Sequence, residues 1–206
     1  MKITLIYMES EKKNLSLTFR LLRKMGFNYS EEAYGQVSLW QVFKRVLKTY
    51  RDSFLMKYIM NSWLLSPFLP RRIRPWVWKK VGCHVGKGCF IGDSVKVDSG
   101  HADMITLEDG VSVAGGTRLL CHQRDFTDYF VGSDYMKLGY TVKPIVLKKG
   151  CLVGMESFVM PGVTIGEGAI IGAGSLVTKD IPAWTIATGR PAKVVKQIPE
   201  REIRIE

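Results

Sequence analysis

In TRLLCHQRDF, Thr117 to Phe126, a run of apolar residues stops at His122 and two charges follow at once. An imidazole with an ordinary pKa near ~6.5 is mostly neutral at neutral pH, and a neutral ring can take a proton from a nucleophile held within hydrogen-bond reach. The same residue in a structural role would sit at a corner and bond a carbonyl. Between His122 and Ile145 lie about 22 residues, Gln123 to Pro144, that break the regular pattern on either side. They carry Phe126, Tyr129, Phe130, Tyr135 and Tyr140, too many aromatics for a disordered linker, and a loop of this length inside a compact fold is usually functional. Beside a histidine it could wall a substrate cleft. The four cysteines, Cys83, Cys89, Cys121 and Cys151, show no CxxC pair or other ligand spacing. They read as small buried residues of a reducing compartment.

The element that must hold His122 is written in the repeat around it. From Val85 onward the chain falls into hexads headed by an aliphatic residue: VGKGCF, IGDSVK, then VDSGHADM with two extra residues, a lone Ile105-Thr106, LEDGVS and VAGGTR, ending at LLCH. After the break come LKKGCL, VGMESF, VMPGVT, IGEGAI, IGAGSL and VTKDIP, with heads at Leu147, Val153, Val159, Ile165, Ile171 and Val177. Neither a helix nor a half-buried strand gives a period of six. Short internal repeats instead indicate a solenoid whose rungs bury their apolar faces only by stacking. One inward aliphatic every six residues suits a narrow triangular coil, with glycines at corners where positive φ is needed.

The stretch LKKGCLVGMESFVMPGVTIGEGAIIGAGSLVTKDIPAWTIATGRPAKVVKQI resembles the C-terminal half of the hexapeptide-repeat acyltransferases, which include galactoside and maltose acetyltransferases and bacterial polysaccharide O-acetyltransferases. The resemblance spans about residues 81–198. It implies a mainly β fold, a left-handed parallel β-helix, assembled as a homotrimer with active sites between neighbouring subunits. It also implies acetyl-CoA as co-substrate and His122 as the general base. The polysaccharide-type members follow that histidine closely with His and Asp. Here CHQRD supplies Asp125 and replaces the second His by Arg124. The CoA groove implied by the resemblance falls on Gly154 and Met155, Ala173, Thr178 and Lys179, with Arg190 and Lys193 toward the phosphates. Small residues there would let the pantetheine arm lie against backbone, although corner geometry asks for the same glycines.

His101 precedes His122 by 21 residues, and without the two-residue insertion by 19, close to one coil of three hexads. The two should therefore lie near one edge, where His101, Asp98, Tyr129 and Tyr135 could face an acceptor; His84 reads as structural. Three histidines on such a coil also suggest metal enzymes resembling γ-class carbonic anhydrases. That family places two ligands close together in sequence, which this chain does not, so no metal is expected.

Charge divides the chain. Residues 1–80 hold 16 Lys/Arg against 5 Asp/Glu, and residues 81–206 hold 14 of each. Residues 38–64 place Leu39, Phe43, Val46, Leu47, Tyr50, Phe54 and Tyr58 at helical spacing, with Ser38 as cap and Lys44, Arg45, Lys48, Arg51 and Lys57 on the remainder. PRRIRPWVWKK follows, with Trp76 and Trp78 among cations as an interfacial anchor would have them. Residues 38–80 are thus expected to cap the coil, to touch an anionic membrane, or both; with no recognition motif beyond charge, nucleic acid is not an expected partner. NLSLTFRLLRKM should be helical up to Gly26. Phe54 to Pro70 is interrupted by Lys57, Asn61, Pro67 and Pro70, which argues against a span, and residues 1–14 lack a secretory signal. The organisation expected is a basic, mainly helical extension over 1–80, the coil over 81–198 and a tail over 199–206, in the cytoplasm. The function expected is transfer of an acetyl group to a carbohydrate hydroxyl of a surface-polysaccharide or glycolipid precursor. The alternatives are a small-molecule acetyltransferase and a non-catalytic scaffold.

Overall fold

The computed structural model describes residues 15–27, 34–62, 71–98 and 100–200. The chain divides into two compact units, residues 1–51 and 52–206.

In the larger unit each hexad forms one short strand and one turn. The strands are β1 (His84–Val85), β2 (Phe90–Ile91), β3 (Lys96–Val97), β4 (Ile105–Leu107), β5 (Ser112–Val113), β6 (Arg118–Leu119), and, after an excursion, β9 (Ile145–Leu147), β10 (Leu152–Val153), β11 (Phe158–Val159), β12 (Thr164–Ile165), β13 (Ile170–Ile171) and β14 (Leu176–Val177). Every third strand pairs in parallel, giving three sheets: β1-β4-β9-β12, β2-β5-β10-β13 and β3-β6-β11-β14. The chain therefore winds around three sides, one coil per three hexads. All six heads from Leu147 to Val177 are buried, and so are the residues two places before the next head, Cys151, Ser157, Val163, Ala169 and Ser175. Each side thus turns two residues inward per coil, and their stacking is the core. Ile181 bridges to Ile165, β15 (Thr185–Gly189) extends the second sheet, and β16 (Ala192–Gln197) folds back antiparallel along it.

The glycines do two different jobs, only one of which is cornering. Those in the fourth place, such as Gly174 at φ 68°, turn the corner, and at Glu156 a non-glycine adopts the same left-handed backbone at φ 54°. Those following a head have no positive φ. At Gly154 an added Cβ would lie 2.6 Å from the Ala173 amide nitrogen and 2.7 Å from the Ile171 carbonyl oxygen of the next coil. That glycine is small because coils stack on it.

The start of the coil is closed by the helix Ile73–Val81, whose Val77, Trp78 and Val81 join the core together with Met60. The Trp78 indole donates to the Met60 sulfur at 3.3 Å, and the buried Arg74 guanidinium donates to the carbonyls of Met60 (3.2 Å) and Ile91 (3.3 Å). One expectation is corrected here. Trp78 is core and not an interfacial anchor, whereas Trp76 is exposed. The helix Ile73–Val81 straddles the boundary expected at residue 80 and falls in the same compact unit as the coil it closes.

In the smaller unit the helix Leu17–Lys24 is capped by Ser16, whose hydroxyl accepts from the Phe19 amide at 3.1 Å, and Gly26 follows its end at φ 90°. The helix Leu39–Phe54 opens with a capping box: Ser38 Oγ accepts from the Gln41 amide (3.2 Å) and Gln41 Oε1 from the Ser38 amide (2.8 Å). It begins in the smaller unit, crosses residue 51 and passes into a π turn, Leu55–Ile59, so the regular helix is shorter than the 38–64 expected. Residues 63–70 of the candidate span to Pro70, residues 1–14 and most of the tail lie outside the described residues. Among the described residues no helix is long and apolar enough to cross a membrane.

Candidate active site

The break after His122 is a hairpin. β7 (His122–Arg124) pairs antiparallel with β8 (Tyr140–Val142), setting His122 opposite Val142 and Arg124 opposite Tyr140. The segment expected to be a loop is thus ordered at its base by a ladder, with its open part running from Asp125 to Gly139. Arg124, expected from the resemblance to stand in place of a second histidine, lies over the Tyr140 ring at 4.3 Å and donates to the Leu138 carbonyl at 2.5 Å. Its role is to brace the hairpin.

His122 leaves the third side of the coil at the corner before the first side. One coil earlier, at the same corner, stands Asp98, whose amide donates to the Leu119 carbonyl at 3.1 Å. The interval from the head Val97 to the head Leu107 is ten residues instead of six. The extra length makes a bulged corner containing His101 and a turn of 3-10 helix, Ala102–Met104. That bulge brings three functional groups together. The Asp98 side chain is 5% exposed; one carboxylate oxygen meets His122 Nδ1 and also accepts from the Cys121 amide at 3.2 Å, while the other lies 3.5 Å from His101 Nδ1. The rings of His101 and His122 are 5.3 Å apart, and the Tyr140 ring stands edge-on to His122 at 5.5 Å.

Burial by itself would raise the Asp98 carboxyl. The hydrogen bond and charge of His122, the Cys121 amide and His101 outweigh it and hold the group below the usual aspartate range. An ionised Asp98 accepts only, so it fixes the neutral His122 ring as the tautomer with hydrogen on Nδ1, leaving the Nε2 lone pair for a substrate. Burial pushes the neighbouring Cys121 thiol up to about 12, with the Asp98 charge adding to it, so no thiolate nucleophile is on offer at neutral pH. Asp98, His101 and His122 also present ligand atoms within 4.8 Å of one another, but Asp98 already holds a ring nitrogen of each histidine.

The remaining site residues divide by place. Asp125 does not reach His122: its carboxylate accepts from the Thr127 hydroxyl (2.6 Å) and amide (3.0 Å) in a local turn. Tyr129 and Tyr135 are exposed on the open part of the hairpin, with Tyr129 packed against Phe126 at 5.8 Å. Gly154, Met155, Ala173 and Arg190 share the corner between the second and third sides, where the Gly174 amide donates to the Met155 carbonyl (2.7 Å) and Arg190 to the Gly174 carbonyl (3.2 Å). Thr178 and Lys179 lie at the His122 corner, two coils further on. Between the two corners the outer face of the third sheet presents Phe158 with the guanidiniums of Arg118 and Arg190 over its ring, at 5.3 and 5.5 Å. Lys193 is exposed on β16. Two residues of the site stand outside the set expected beside His122: Tyr140, which the sequence offers only as one of the loop aromatics, and Arg118. Tyr140 was signalled by the β-rich YTV opposite HQR, and Arg118 by its outward place in a hexad.

Comparison with known proteins agrees with the coiled fold. Residues 144–179 match the family model described as bacterial transferase hexapeptide (six repeats). The galactoside O-acetyltransferase of Escherichia coli K12 is 31% identical over 120 residues, 58% of this chain and 56% of that protein. A maltose O-acetyltransferase from Clostridium difficile 630 superimposes with a TM-score of 0.57 at 23% identity, over 75% of this chain and 88% of that one. A hexapeptide-repeat acetyltransferase from Vibrio cholerae, solved with acetyl coenzyme A, gives 0.53 at 19% identity over 87% and 98%. At these identities the structural likeness concerns the fold. The chain spans between about a quarter and about half the length of the curated relatives it matches. The coil thus carries bacterial transferase hexapeptide repeats, and the chain resembles the hexapeptide-repeat acetyltransferases.

Proposed function

We propose that this chain is an acetyl-CoA-dependent O-acetyltransferase acting on a sugar hydroxyl, with His122 as general base and Asp98 as the residue that positions it. The observation that carries the reading is the buried Asp98 carboxylate on His122 Nδ1, at the point where an aromatic hairpin leaves the coil. His122 Nε2 takes the proton of the acceptor hydroxyl as its oxygen attacks the thioester carbonyl. The C–O bond forms, the C–S bond breaks, and the CoA thiolate leaves and is protonated. With Cys121 inert, transfer is direct and needs no acyl-enzyme. The acetyl-CoA-bound relative of the same fold supports the donor. The Arg118–Phe158–Arg190 ladder on the face between the two corners, with Lys179 at the His122 corner, suits a phosphate-bearing co-substrate. The coil is left-handed and the enzyme a homotrimer whose sites lie between subunits. The acceptor is a surface-polysaccharide or glycolipid precursor met in the cytoplasm, and His101 and the hairpin tyrosines face it.

The test is thiol release from acetyl-CoA with a panel of nucleotide-sugars, lipid-linked sugars, free glycosides and amines. Release that depends on a sugar acceptor and falls about 10²–10⁴-fold in His122→Ala supports the reading. Equal release by variant and wild type would reduce His122 to a corner residue, and dependence on an amine alone would replace the hydroxyl.

A further inference from the structure

The helix Leu39–Phe54 carries a feature that acetyl transfer does not use. At about 100° per residue, Leu39, Trp40, Phe43, Val46, Leu47, Tyr50 and Phe54 fall within one arc of about 120°. A stripe of that width normally faces a core. Here the seven residues are 44–73% exposed, and no residue of the helix is buried. Four cations, Lys44, Arg45, Lys48 and Arg51, share the helix with a single acid, Asp52. Lys44 and Arg51 stand at one edge of the stripe, with Lys48 and Arg45 behind. The Lys44 ammonium lies 5.2 Å from the centre of the Trp40 ring, and Trp40 stacks on Phe43 at 5.6 Å. Tryptophan with a basic flank is the combination that settles where hydrocarbon meets charged headgroups.

We propose that this helix is a docking surface for an anionic lipid leaflet, lying in the interface with the Leu39–Phe54 stripe down. Charge selects this occupant. A second copy of the same helix packed antiparallel would set Lys44 against a like charge along the seam, whereas an anionic leaflet attracts it. The helix is too short and too charged to span, in keeping with the absence of a crossing helix among the described residues. The proposal does not depend on the enzymatic reading and concerns where the chain resides.

The test is co-sedimentation of the full chain with vesicles rich in phosphatidylglycerol and with vesicles of phosphatidylcholine alone. Binding to the first, on the order of tenfold or more above the second, is expected. It should weaken about tenfold in Lys44→Glu/Lys48→Glu and at high salt, and vanish in Phe43→Glu/Leu47→Glu. Helical content by circular dichroism and acetyl transfer to a soluble acceptor should be unchanged in both variants, which separates failure of docking from failure of the fold or of catalysis. Absent or lipid-indifferent sedimentation of the wild type overturns the proposal. So does a Phe43→Glu/Leu47→Glu variant that binds vesicles normally while changing the oligomer in solution, because the stripe would then cover a second copy.

Discussion

One buried carboxylate decides the chemistry at His122. Asp98 is held ionised, and its acceptor-only oxygens set the ring so that Nε2 is the free base. Asp98→Asn keeps the shape but can hold the opposite tautomer, so kcat should fall by at least about tenfold with little change in KM. A kcat indistinguishable from wild type would leave Asp98 a purely structural residue. The same substitution has a signature in stability. Because Asp98 releases its proton more readily in the folded chain than in the unfolded one, the unfolded chain binds more protons on acidification. The contribution of Asp98 is therefore complete at neutral pH and drains away as pH falls below the ordinary aspartate range near ~3.9 toward the lower folded value. Denaturant titrations across that window should show a gentler acid-side loss in Asp98→Asn than in wild type, and parallel curves would contradict it. In the sequence Asp98 looked like an acceptor-side residue, and Asp125 stood closer to the histidine in the chain. Only the stacking of coils shows that 24 residues separate true neighbours whereas three do not.

At the scale of elements, the hexad was readable because its cause is local: one inward head per side, repeated. The corners were readable for the same reason. The glycines after the heads were not, since their smallness answers to a coil 18 residues away and carries no local sign. Gly154→Ala tests this directly. With backbone atoms 2.6–2.7 Å from the new Cβ, the coils must part, at a cost of about 1–3 kcal/mol. In a chain of this size that is a fall in Tm of several degrees in a thermal melt. Gly139→Ala, which meets nothing within 4 Å, should leave Tm where it was. If both behave alike, the coil spacing is softer than the packing implies. The hairpin was hidden because its two strands, 122–124 and 140–142, are too short for a period to register. Tyr140 reaches His122 only through their pairing.

At the scale of the whole molecule, the outward faces of the sheets carry the remaining questions. Leu152 and Ile170 are exposed side by side on the second sheet, in register with each other. A trimer that covers such positions should give a light-scattering mass three times the 23.3 kDa of the chain, and a monomer mass would place the whole site within one subunit. The pairing of Asp98 with His122 has a consequence at this scale. A base and its partner drawn from one loop last as long as that loop does, but these two come from successive windings and meet only while the windings stay in phase. A slip of a single residue turns inward side chains outward and carries the carboxylate off the imidazole. On the proposed general-base reading, turnover works as a vernier on the winding. A preparation that keeps its sheet content but loses phase between its first two turns will look folded in a spectrometer and be silent in an assay.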